Sequence, residues 1–140
     1  MAEDYGASAF RHEQDSRLLF DEQRYDNAAY LAGYTVECSL KLLLDCGEAI
    51  NGKALAHELI NLAGNGLKVA VVLSPGLQRY RIDGNVAIDF ALANWTPEKR
   101  YEPTGLVMEA EAAQLCDAAR TCLNEVVIPL ILDGVVELPQ

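Results

Sequence analysis

The residues best suited to chemistry gather between positions 79 and 101. Arg79, Arg81, Lys99 and Arg100 stand there against Asp83, Asp89 and Glu98, so the segment carries +1 in a chain whose formal charge is −10, and Tyr80, Trp95 and Tyr101 are interleaved with the cations. Guanidinium groups hold phosphate through paired N–H donors, and aromatic rings stack on bases. Arg79, Arg81, Trp95, Lys99, Arg100 and Tyr101 are therefore a candidate ligand-binding set. The competing expectation pairs the cations with the abundant carboxylates and packs the rings in a core or a plain interface.

A second constellation is a polar stripe, Tyr30, Tyr34, Glu37 and Lys41, at helical spacing. Either it is a solvated Glu–Lys pair contributing about 0.3 to 0.5 kcal/mol, or it lies in a groove or dimer seam where Glu37 holds Arg100 or another cation. A buried Glu37 would favour the second. His57 reads as a helix-start or packing residue, and His12 as an exposed one. Cys38, Cys46, Cys116 and Cys122 lack metal-ligand spacing, since eight residues of helix is about 12 Å of rise, so reduced, packed thiols are expected, with no metal and no cofactor.

Composition bounds what must position these groups. A chain of 140 residues with 51% hydrophobic and 23% charged residues is one globular domain that buries a real core without disulfides. The acidic balance repels phosphate at long range and disfavours a broad nucleic-acid surface, while leaving room for a local site. Met1-Ala-Glu-Asp resembles no signal peptide, and the apolar run Val126 to Leu132 is short and interrupted by Pro129, so a soluble, cytoplasmic protein is expected, with no membrane partner.

Periodicity predicts mostly helix. Residues 1–10 read as a flexible arm, followed by a helix from Arg11 to Gln23. Asp26-Asn27 offers an N-cap for the clearest element, running to Cys46, in which Ala28, Leu31, Ala32, Thr35, Ser39, Leu42, Leu43 and Cys46 share a face and Gly33 permits close approach. Ala56 to Leu62 reads as a short helix; Leu67 to Leu73 is strand-like in composition but lacks a strand partner and is taken as helix. Val86 to Ala93 is a further short helix, and Thr96-Pro97 starts one turn. Met108, Ala112, Leu115, Cys116, Ala119, Cys122, Leu123, Val126 and Val127 stripe a last long helix, which Pro129 should bend or end. The fold expected is all-α, an antiparallel up-and-down bundle of four to five main helices with short extra ones.

The stretch Arg24-Tyr25-Asp26-Asn27-Ala28-Ala29-Tyr30-Leu31, continuing through Val36-Glu37 and Leu40-Lys41 to Leu43-Leu44, resembles the signature helix of the HEPN domain family. His57-Glu58-Leu59 with Leu62, and Trp95 through Arg100-Tyr101, look like later elements of the same pattern. The resemblance implies a small helical bundle that dimerises through its long helices, and a nucleotide, an RNA or a nucleotidyltransferase partner in a toxin–antitoxin-like setting. Members that cut RNA carry Arg-x4-6-His. Here Arg100 is followed by Tyr-Glu-Pro-Thr-Gly-Leu-Val, with no histidine at that spacing. Glu102 is no substitute, because a neighbouring arginine moves a carboxyl away from neutral pH. The expectation is a non-catalytic binding module; the alternative is a divergent, metal-independent ribonuclease using Arg100, Glu102 and His57.

Overall fold

The structure, a computed structural model, describes residues 4–46, 80 and 85–137. The helices expected over Ala56–Leu62 and Leu67–Leu73, together with Arg79, Arg81 and His57, lie outside those residues. Among the described residues the elements are α1 (Tyr5–Asp21), α2 (Tyr25–Cys46), α3 (Val86–Asn94), a 3-10 turn (Pro97–Tyr101), α4 (Glu109–Cys122), a π-helical turn (Leu123–Val127) and α5 (Ile128–Leu132), with no strand. The protein is an all-α bundle, and none of these helices is long and apolar enough to cross a membrane.

α1 starts at Tyr5, well before Arg11, which corrects the expected flexible arm at 1–10 over its described residues. The Asp4 carboxylate accepts from the Ala7 amide at 2.9 Å, capping the first turn. Tyr5 and Ala9 are buried with Cys38, Leu123 and Val127, so this turn is fixed by packing that local sequence does not announce. At the other end the Arg24 amide bonds to the Leu19 carbonyl at 2.8 Å, and Gln23 turns the chain with φ +61°, a left-handed conformation that costs a side-chain-bearing residue on the order of 1 kcal/mol.

α2 then runs antiparallel to α1. Its small residues allow the two backbones close, and hydroxyls bridge them: Ser16 donates to the Ala28 carbonyl at 2.7 Å, and Thr35 donates to the Ala9 carbonyl at 3.3 Å. Pairing 16 with 28 and 9 with 35 states the register. α2 is the central element, for no described residue of it from Ala28 to Leu43 is exposed. Val36, Leu40 and Leu43 meet Ile88 and Ala91 of α3 and Ala112, Leu115, Ala118, Ala119 and Cys122 of α4 in one core. Met108 departs from the expected stripe. It precedes α4 and is 69% exposed.

Asp26 does not cap α2, which already begins at Tyr25. Its two carboxylate oxygens accept from the amides of Gly105 at 2.8 Å and Val107 at 3.1 Å, so α2 and α4 start at the same end of the bundle. Pro129 neither ends nor breaks the last helix. It lacks the N–H that an α-turn would place on the Glu125 carbonyl, and the chain widens just before it, the Ile128 amide reaching back to the Leu123 carbonyl. Helix continues to Leu132 and stops where Gly134 takes φ +75°, its amide on the Ile131 carbonyl. All four cysteines are free thiols, Cys38 and Cys122 buried, Cys46 and Cys116 half-buried.

Candidate functional site

The 3-10 turn separates two adjacent cations. Thr96 is extended and Pro97 opens the turn, without a hydrogen bond from the Thr96 side chain to cap it. Lys99 points inward: its ammonium lies 3.2 Å from Glu111 and 3.8 Å from Glu102, and its side chain is 9% exposed. Arg100 points out. Its guanidinium sits 4.8 Å from the centroid of the Tyr101 ring, which is itself 76% exposed, and donates to the Tyr30 hydroxyl at 3.5 Å. Arg100 makes no ion pair among the described residues.

The chain of donors continues into α2. The Tyr30 hydroxyl donates to that of Tyr34 at 3.2 Å, and the two rings meet edge to face with centroids 5.0 Å apart. Burial and the Tyr30 hydroxyl, with Glu37 nearby, hold the Tyr34 phenol above its ordinary pKa against the opposing pull of Arg100, so it stays protonated. On the far side Tyr34 meets Trp95 edge to face at 4.9 Å. The Trp95 indole is 3% exposed and donates to the Tyr30 carbonyl at 3.1 Å. Trp95 is therefore the wall behind the two tyrosines, and its ring is not presented to a ligand. Tyr80, also buried, donates its hydroxyl to Asp133 at 2.5 Å.

The polar stripe divides. Tyr30 and Tyr34 belong to the Arg100 side, whereas Glu37 and Lys41 form a 3.7 Å pair with side chains 3% and 8% exposed, the ammonium lying 5.8 Å from the Tyr5 ring centroid. A solvated helix pair is thus excluded, and in this structure Glu37 holds Lys41 while Arg100 is held by Tyr30.

His12, expected to be exposed, is placed otherwise. It is half-buried, with its ring centroid 5.7 Å from that of Tyr34. Burial, then the neighbouring Arg11, lowers its pKa, with Asp15 opposing. Its position twenty-two residues before Tyr34 gave no signal, because only the antiparallel register of α1 on α2 brings the two together. His12, Tyr34, Tyr30, Arg100 and Tyr101 consequently follow one another across three elements.

Between α1 and α4 are hollows of about 210 and 380 Å³ that share Glu13, Arg17 and Arg120. Buried Glu13 accepts from Arg17, and the Ser16 hydroxyl is 3.2 Å from the Cys116 sulfur at the floor of the smaller one. Burial raises the Cys116 thiol pKa, which keeps it a poor nucleophile. Among the described residues no group of histidine, cysteine and carboxylate side chains is placed to hold a metal ion.

Comparison with protein-family models, with curated proteins and with solved structures finds no match to this chain.

Proposed function

We propose that the chain is a non-catalytic, HEPN-like binding module that holds a phosphate-bearing ligand at Arg100. The observation supporting this reading is the state of that side chain. In a chain of net charge −10, the Arg100 guanidinium is exposed, has no carboxylate partner among the described residues, and rests on an exposed ring and a hydroxyl. A guanidinium braced by uncharged groups keeps its charge and paired donors for a planar or tetrahedral anion. The Tyr101 ring offers a stacking face beside it. Lys99 adds no net charge, since two carboxylates already share it.

The family resemblance supports the finer terms of the proposal: a homodimer, and a nucleotide, an RNA or a nucleotidyltransferase partner in a toxin–antitoxin-like setting. Among the described residues α2 is enclosed by its neighbours, so the proposal gives the dimer seam to an outer helix such as α1, α3 or α4. Titration calorimetry with adenosine nucleotides and a short RNA, run beside light scattering for oligomeric state, tests both parts. Binding that disappears in Arg100→Ala is the expected result. A monomer that binds neither the phosphorylated probes nor a nucleotidyltransferase encoded beside it would remove the proposal.

A further inference from the structure

The surroundings of Arg100 narrow the ligand, on the premise that the proposed phosphate site is real. From Pro97 to Glu111 the sequence holds Glu98, Glu102, Glu109 and Glu111 against Lys99 and Arg100. Lys99 is held between Glu102 and Glu111, so Arg100 is the cation of this segment that faces outward without a carboxylate partner among the described residues. Asp26 accepts from two backbone amides at the same end of the bundle. A strand of nucleic acid brings a phosphate every nucleotide, and along residues 97–111 each one beyond the first would meet carboxylates instead of cations. The stacking surface is equally limited. Tyr101 is exposed, but Trp95 is buried and Tyr34 is half-buried behind Tyr30, so among the described residues of the site one ring is open to one base.

We infer that the site takes a single phosphate next to a single base, the chemistry of a mononucleotide, and not a length of RNA. The phosphate sits on the Arg100 guanidinium with the Tyr30 hydroxyl as a further donor, and the base stacks on Tyr101. The Tyr30 hydroxyl turns from Tyr34 toward the anion, since one O–H serves one acceptor at a time.

Titration of the full chain with adenosine 5′-monophosphate, adenosine, and 5′-phosphorylated oligoadenylates of about two, five and ten nucleotides tests this. The expected result is one affinity, within about twofold, for the monophosphate and for every oligonucleotide, with adenosine at least about tenfold weaker. Arg100→Ala should reduce monophosphate binding about tenfold or more while leaving adenosine unchanged, and Tyr101→Ala should weaken both. Both positions are exposed, so the variants fold. Affinity that climbs steadily with oligonucleotide length overturns the single-phosphate inference and leaves the phosphate-binding proposal standing. Failure of every phosphorylated probe to bind, or equal binding of adenosine and its monophosphate, overturns both.

Discussion

Gly33 and Trp95 share one space: a Cβ on Gly33 would stand 2.1 Å from the indole Nε1, and that Nε1 is already fixed by donating to the Tyr30 carbonyl at 3.1 Å. In an ordinary helix interior, replacing glycine with alanine stabilises by roughly 0.5 to 1 kcal/mol. Here the sign reverses. Gly33→Ala must displace a buried ring that also supports Tyr34, and we expect a loss of about 2 to 3 kcal/mol in urea unfolding. Trp95 is the only tryptophan, so its fluorescence reports the displacement directly. A stabilised variant with unchanged emission would contradict the close packing.

Asp26 ties the approach to α4 onto α2 with one carboxylate and two amides. Asp26→Ala leaves both amides without that acceptor and should destabilise by about 1 to 3 kcal/mol. Hydrogen exchange should locate the effect: the Gly105 and Val107 amides lose protection more than those of α1. Equal loss across the chain would mean that the tie is not a local one.

The buried Glu37–Lys41 pair predicts a pattern across variants. Glu37→Met strands an ammonium that is 8% exposed, a change that costs about 3 to 5 kcal/mol when a buried pair is broken on one side. Glu37→Met combined with Lys41→Met removes both charges and should recover part of that loss. Denaturant midpoints of the three proteins decide it; a double variant no better than the single one refutes the coupling.

His12 predicts an acid-sensitive contribution to stability. Burial lowers its folded pKa below the ordinary 6.5, so below that pH the unfolded chain binds the proton more readily and stability falls with falling pH. The contribution is complete above about 6.5 and is lost as the pH drops toward the folded value. Arg11 adds to the depression and Asp15 opposes it, while the Tyr34 ring is the neighbour on α2. His12→Gln should flatten the fall in melting temperature between about pH 7.5 and pH 5 relative to the unaltered protein. Parallel curves for the two would show that His12 titrates as it does in water.

The part of this architecture legible in the sequence was the part carried by period. The apolar spacing of α4 survives apart from Met108, as does the Thr96-Pro97 turn; on α2 the expected stripe is buried or half-buried, but so are Val36 and Leu40 off it, because that helix is enclosed on every side. Charged and polar groups were legible only as types. Asp26 looked like an N-cap because a carboxylate near a helix start usually serves its own helix, yet its acceptors go to amides about eighty residues on. Trp95 and Arg100 both fitted a ligand site by composition, and burial separates them. Lys99 and Arg100 are neighbours in sequence with opposite fates, which a 3-10 turn decides. His12 carried no signal because its partner Tyr34 is brought to it by helix pairing alone.

The wide turn at Leu123–Val127 has a consequence for how this chain accommodates changes of length. A π-turn spends five residues where an α-turn spends four, so everything after it keeps the angular position it would have in a regular helix one residue shorter. Asn124 is exposed within that turn, and Leu130 beyond it is fully buried. Deleting Asn124 should let the helix relax to α geometry with Leu130 still facing the core, at the cost of setting the Pro129 ring against the carbonyl four residues back, whereas deleting Gln114, exposed in the regular part of α4, rotates the core residues between it and the π-turn by about 100°. The first deletion should fold and the second should not, which makes the π-turn the place where this helix tolerates a change in residue count.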